Sequence, residues 1–544
     1  MSRLVPGRNP PPGVSEIADA IRRRRGERGL TPLDVILLHV PPIADGWNML
    51  LGAVRNKGTL PGNVRELAIL RVAAVNNAAF EWTQHEPVGR ADGLSTPQLH
   101  VIRDTSIALP PARGILSTFQ TAALRFADAS TRDIHIPSGV TDNLLHELRG
   151  FVKSKYPNED ETDLIHDLFV EFAATVATYN MVSRFLVSTD VSGLSDETAP
   201  WGVERKEHFI PIPSETDISI HTHKIHATTI ITSHTAPWIV FANSLLTDLT
   251  MWNYVIPYFL QNHFNVLVHS QRGHGQSGLP PASPSTRRTT IPALAYDIAH
   301  LINALEIRST IHAIIGVSQG GAAALAFSAL PAFFPFTSLP SPLPKTKSII
   351  ACDTSARTPA GNKTAWEERA SLVYGTKISF DDYPPSSSTM LDDEFATHLG
   401  MSRLASITVP RWFPAGSPLS ASPPPTSNPE RAAWVSSLIK CTPPSGFVAG
   451  AQALAGYDLL SEADPEKGIL GSAFNTPEAP KILLMAGALD GAGKVGQGLR
   501  AMAERWANIR GGVQYAEIEQ SGHLPMIDQP EKWWSVVGKF LQEV

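Results

Sequence analysis

Apolar positions recur at helical spacing through the first third of the chain. From Asn63 the text NVRELAILRVAAVNNAAFEWTQH places apolar residues at 67, 69, 70, 72, 73 and 75, one helical face, and Pro87 falls just past it. Residues 164–186, LIHDLFVEFAATVATYNMVSRFL, predict a second long helix with few charges. Residues 1–190 therefore read as an all-α domain. The polar, Gly-, Pro- and Ser-containing stretch 191–207 reads as a linker.

After 207 the period changes. Residues 217–233 alternate as strands do, and PWIVFAN (237–243), FNVLVHS (264–270), TIHAIIG (310–316), SIIACDTS (348–355), KILLMAG (481–487) and VQYAEIE (513–519) are short apolar runs that end in polar turns. ALAYDIAHLINAL (293–305) is helical. Such alternation predicts a mainly parallel sheet covered on both faces, over 208–544. Between about 358 and 475 the strands stop, so this helical, Pro/Ser-rich stretch reads as a cap inserted between two sheet strands. The run 311–336 approaches bilayer length, yet His312, Ser318, Gln319, clustered glycines and Pro331 interrupt it; a strand, a tight turn and a core helix account for it without a membrane span.

Composition narrows the function classes. With 45 Lys+Arg against 51 Asp+Glu the net charge is −6, so no basic excess exists to hold nucleic acid. Two cysteines, Cys352 and Cys441, exclude a Cys-rich metal site. The N-terminus has no apolar run after its basic residues, and the expected location is cytoplasmic. His221, His223, His226 and His234 crowd one segment, but no Cys or carboxylate completes a ligand set nearby; neither metal nor cofactor is expected. Arg22–Arg25 reads as a solvated helix face.

Candidate chemistry begins at Gly316-Val317-Ser318-Gln319-Gly320, a G-x-S-x-G motif between a strand and a helix. That context lifts a serine hydroxyl clear of the backbone at a sharp turn. Asp490 follows the strand at 481–487, and His523 follows the strand at 513–519. Ser, Asp and His thus occur in the order a nucleophile–base–orienter set requires. Arg272, in QRGHGQSG, and Arg411 with Trp412, in the cap, are candidates to meet a substrate carboxylate; for Arg272 a structural loop role is the equal alternative. In the first domain Glu81 and His85 stand four apart on one helical face, with Glu66 upstream. Acid groups on an apolar face suggest proton transfer in a dry pocket, and a surface Glu–His pair is the alternative.

FANSLLTDLTMW, SQRGHGQSG, GVSQGG, CDTSART, TPPSGFVAGAQALAGYDLL, GALDG and SGHLPMIDQPEKW resemble, in order, the 3-oxoadipate enol-lactonase branch of the α/β-hydrolases. The resemblance implies a lactone carboxylate substrate and an oxyanion hole made by the backbone N–H groups of Leu245 and Gln319. Leu246 stands where that family usually has glycine. RELAILRVAAVNNAAFEWTQHEPVGRADGLS resembles the carboxymuconolactone decarboxylase superfamily over about 35–190. Glu66 and His85 fall where its peroxidase-type members carry their motif Glu and His. The C-x-x-C places hold Ala78 and Glu81, so disulfide-based peroxide chemistry is lost and the decarboxylase type remains. That superfamily implies a homo-oligomer built through the helical domain. Together the two resemblances imply a bifunctional enzyme converting a carboxymuconolactone to 3-oxoadipate in protocatechuate breakdown. A biosynthetic lactonase or esterase with a purely oligomerising helical domain is the other reading.

Overall fold

The computed structural model describes residues 4–157, 161–211, 224–279, 289–333, 343–381, 392–421, 428–460, 469–508 and 512–544. The chain divides into two compact units, Met1–Val203 and Glu204–Val544.

The first unit is helical. Its central helix, Gly62–Val75, buries Leu67, Ala68, Ile69, Leu70, Val72 and Ala73 completely, so it is buried on every side, with Glu66 and Arg71 as its buried charged groups. The single helical face expected from Asn63 onward is in fact two helices. Asn77 takes a left-handed φ of 56°, which asparagine tolerates, and the chain turns into Ala79–Ala91. Pro87 lies inside this second helix, not past its end. The turn brings His85 back beside Glu66. The 28-residue helix Glu161–Ser188 packs against both the central helix and Ala79–Ala91.

The second unit is built on a sheet of eight strands: β1 (Glu204–Pro211), β2 (Lys224–Ile231), β3 (Trp238–Ala242), β4 (Asn265–His269), β5 (Ile311–Val317), β6 (Thr346–Cys352), β7 (Lys481–Gly487) and β8 (Val513–Ile518). Their order is β1-β2-β4-β3-β5-β6-β7-β8, antiparallel from β1 to β4 and parallel from β4 onward. Every residue of β3, β4 and β5 is buried, as in a sheet covered on both faces. β1 corrects the sequence reading: residues 204–207, assigned to the linker, open an edge strand whose half-exposed side chains carry no apolar run. Of the alternating text at 217–233, residues 217–223 lie outside the described residues.

Between β6 and β7 come the helices Asn362–Tyr374, Met401–Trp412, Pro429–Lys440, Pro444–Ala455 and Ile469–Phe474. The apolar text at 311–336 divides into β5, a turn at Ser318 and the helix Gln319–Phe327; residues 334–336 lie outside the described residues. No described helix is long and apolar enough to cross a membrane.

Candidate active sites

The turn at Ser318 joins β5 to the helix Gln319–Phe327. Ser318 holds φ 55° and ψ −117°, a strained conformation for any residue but glycine, and its N–H is anchored on Cys352 O at 2.8 Å. Two neighbours must be glycine. A Cβ on Gly316 would lie 2.1 Å from Gly320 O, and one on Gly320 would lie 2.1 Å from Ala242 O. The second contact seats the helix start against the end of β3, so the loop carrying Leu245 and the helix N-terminus at Gln319 adjoin. Backbone N–H groups in the first turn of a helix have no partner within it.

His523 follows β8. Its Nδ1 lies 2.8 Å from Asp490 Oδ2, just beyond β7. Its backbone N–H bonds Trp412 O at 2.8 Å, and the Trp412 ring stacks on the imidazole at 5.6 Å. Burial works to raise the Asp490 pKa, but the charge and hydrogen bond of His523 prevail and hold it below the usual range. Asp353, at the end of β6, completes a cluster: its carboxylate, that of Asp490 and the His523 ring have ligand atoms within 4.8 Å of one another. Burial, and then the Asp490 charge, push Asp353 well above the ordinary carboxylate range, which favours its protonated form. Its Oδ1 accepts from Gly487 N–H at 2.8 Å. Sequence reasoning missed Asp353, although its place at a strand end was visible in SIIACDTS.

Ser318, Asp353, Asp490 and His523 line one cavity of about 700 Å³, which Arg369, Arg411, Trp366, Lys494 and Arg505 also line. Arg411 is desolvated and lies near Arg369, which together lower its pKa to about 10. Both guanidiniums reach over the Trp366 ring. Arg411 and Trp412 are therefore where the sequence put them, at the cavity. Arg272 is not. Its guanidinium is buried and grips Asp297 through two bonds, 2.6 and 2.7 Å, and does not line the cavity. A bidentate, desolvated pair of this kind leaves no fork for a substrate, so Arg272 holds its loop.

The loop after β3 has the shape that its missing glycine put in question. Leu246 takes φ 70°, buried, and its N–H donates to His274 Nε2 at 3.2 Å. His274 Nδ1 bonds Arg272 O at 2.9 Å, which fixes the tautomer. His226 stacks on Phe209 at 4.8 Å, and His221 and His223 lie outside the described residues.

In the helical unit His85 Nδ1 lies 2.7 Å from Glu66 Oε2, and its Nε2 accepts from Arg55 at 3.0 Å. Arg55 Nε also donates to the Tyr179 hydroxyl at 2.6 Å, and the Tyr179 ring meets His85 edge-on. Burial lowers the His85 pKa against the pull of Glu66, which leaves a neutral ring donating from Nδ1. Burial opposes ionisation of Glu66 too, but the bond from His85 and the charges of Arg65 and Arg55 outweigh it and lower the Glu66 pKa. Glu81 shares a face with His85 yet does not bond it. It is fully buried, both its oxygens lack a partner among the described residues, and burial raises its pKa well above the ordinary range. Although Glu81 and His85 stand four apart on one helical face, the imidazole is held by Glu66 and Arg55. Trp82 is fully buried, its indole bonded to Glu86. Arg25 also departs from the solvated face assigned to it, being buried against Asp34 at 2.5 Å.

Residues 239–535 match the model of the Alpha/beta hydrolase family, and the chain belongs to that family. Residues 41–109 match the Carboxymuconolactone decarboxylase family, so the helical unit carries that family's region. Two curated relatives come from Acinetobacter baylyi. 3-Oxoadipate enol-lactonase 2 is 32% identical over 137 residues, 25% of this chain and 43% of that protein. 3-Oxoadipate enol-lactonase 1 is 25% identical over 309 residues, 57% of this chain and 90% of that protein. The chain thus spans under half the length of the first and most of the second. Among solved structures, the enol-lactonase from Burkholderia xenovorans LB400 is 25% identical with a TM-score of 0.43, covering 59% of this chain and 97% of its own. A thermophilic esterase from Thermogutta terrifontis is 22% identical with a TM-score of 0.44, covering 62% and 98%.

Proposed function

We propose that the chain is a two-step enzyme of the β-ketoadipate route, decarboxylating a carboxymuconolactone in its helical unit and opening the resulting enol-lactone to 3-oxoadipate in its hydrolase unit. The observation that carries the hydrolase half is the His523–Asp490 hydrogen bond on the wall of the cavity that also holds Ser318 at its strained turn. Ser318 Oγ attacks the lactone carbonyl and gives its proton to His523, whose imidazolium Asp490 stabilises. The backbone N–H groups of Leu245 and Gln319 receive the oxyanion. The ring C–O bond then breaks, the enolate leaves and becomes a ketone, and water activated by His523 clears the acyl-enzyme. Arg411 and Trp412 bind the substrate's carboxylate end.

In the helical unit the C–CO2 bond breaks and its electron pair enters an enolate conjugated with the lactone carbonyl. A substrate anion beside His85 favours the imidazolium, which Glu66 supports; His85 then protonates the enolate and is recharged from solvent. Glu81 and Trp82 keep the surroundings dry and uncharged, which favours loss of charge as CO2. We infer too that the helical unit assembles the chain into a homo-oligomer.

The test is incubation of the full chain with carboxymuconolactone isomers while CO2 and 3-oxoadipate are followed together. Ser318→Ala is expected to stop ring opening by several powers of ten with CO2 release intact. His85→Ala is expected to slow CO2 release by about 10²–10⁴-fold while a ready-made enol-lactone is still opened. CO2 release unchanged in folded His85→Ala, Glu66→Ala and Glu81→Ala would leave the helical unit a scaffold. The large cavity beside Ser318 favours, as a second reading, a lactonase or esterase acting on a bulkier substrate.

A further inference from the structure

The helical unit holds a cavity of about 260 Å³ that the hydrolysis does not use. A water molecule claims about 30 Å³ of liquid, so the space suits a small organic acid. Four arginines line it, Arg25, Arg28, Arg55 and Arg65, against a single carboxylate, Glu66. Two of the four are neutralised within the fold. Arg25 pairs with Asp34, and Arg65 reaches Asp92 at 3.2 Å and Glu66 at 3.4 Å. The other two have no carboxylate within ion-pair distance among the described residues. Arg28 donates to the Gln84 amide. Arg55 donates only to neutral acceptors, the Tyr179 hydroxyl through Nε and His85 Nε2 through one Nη2 hydrogen.

A guanidinium has five N–H donors, so three on Arg55 remain. Half-buried and bonded only to neutral partners, it bears the desolvation cost of a cation with no carboxylate paired to it directly; Glu66 lies beyond the His85 ring. An anion in the cavity would supply that pairing, and a planar fork fits a carboxylate best.

The geometry points to a carboxylate-binding site in which Arg55 and Arg28 hold the carboxylate that the substrate keeps, setting the carbon that loses CO2 against His85. This rests on the decarboxylase reading and names the side chains that hold its substrate. Bonding the departing carboxylate to Arg55 would stabilise the ground state and slow its loss, so the arginine pair must take the retained one. Leu33, Phe80 and Val88 supply apolar wall for the departing group.

The test reads each arginine separately, on the full chain. Phenylglyoxal modification is followed by peptide mass spectrometry with adipate as probe, against sodium chloride at matched ionic strength. Adipate at about ten times its dissociation constant is expected to slow modification of both Arg28 and Arg55 about tenfold, with exposed Arg132 unchanged. Arg55→Gln is expected to raise the adipate concentration that half-protects Arg28 about 10- to 100-fold, the worth of a charge-assisted hydrogen bond. If Arg55→Gln does not fold, Arg28→Gln, at an exposed position, must weaken protection of Arg55. Equal modification with adipate and chloride overturns the site. Protection together with His85-independent CO2 release keeps the carboxylate site and removes the decarboxylase reading. His85-dependent release without protection does the reverse.

Discussion

At the residue scale the hydrolase site depends on one proton whose place sequence does not show. Two carboxylates so close cannot both ionise cheaply, and the fold leaves Asp490 charged and Asp353 neutral. Asp353 accepts from Gly487 through Oδ1, and once protonated its other oxygen has a proton to offer Asp490. Asparagine offers the same donor and acceptor. Asp353→Asn is therefore expected to keep kcat/KM within a few-fold and to leave the acid limb of its pH profile in place. Asp353→Ala loses the support and is expected to cost about tenfold, equivalent to ~1.4 kcal/mol. An acid limb displaced to lower pH in Asp353→Asn would show that Asp353 is ionised.

At the element scale the strand ends do the positioning, and β4 with its following loop shows the cost. His269 and His274 are both buried, which lowers each pKa to about 4. In the unfolded chain each titrates near 6.5. Above that value both states are neutral and stability is full. As pH falls from about 6.5 towards 4 the unfolded chain takes up protons that the fold refuses, so stability falls by up to about 1.4 kcal/mol per pH unit for each histidine. Urea midpoints are expected to drop between about pH 7 and pH 5, and His274→Gln is expected to flatten that drop. A slope identical in the variant would mean that His274 does not carry it. The same loop shows how a missing glycine is absorbed: Leu246 keeps the left-handed turn because its buried side chain and its bond to His274 outweigh about 1–2 kcal/mol of backbone cost.

At the scale of the whole molecule the helical unit leaves an apolar face uncovered. On the helix Pro41–Asn56, Ile43 is 53% and Met49 69% exposed, with Leu50 beside them. Exposed apolar side chains of this kind are the ground for expecting self-assembly. The full chain is expected to run as a trimer or larger in light scattering, and Met49→Glu to shift it towards smaller species. A monodisperse monomer at micromolar concentration would remove this expectation.

Local signals alone carried much of this protein. The change from helical to alternating period marks the two units because each period reflects the environment of one element. The turn at Ser318 and the positions of Asp490 and His523 were legible because each follows its own short apolar strand. Pairings between distant elements were not. Whether Arg272 meets a substrate or Asp297, whether Arg25 is solvated or meets Asp34, and whether His85 answers to Glu81 or to Glu66 and Arg55 all turned on side chains brought together by packing. Tyr179 reaches Arg55 across 124 positions of sequence. Periodicity records which face of an element avoids water, and it holds no information about which distant group that face will meet. Charge and protonation follow from that meeting, so the tertiary structure alone decided them.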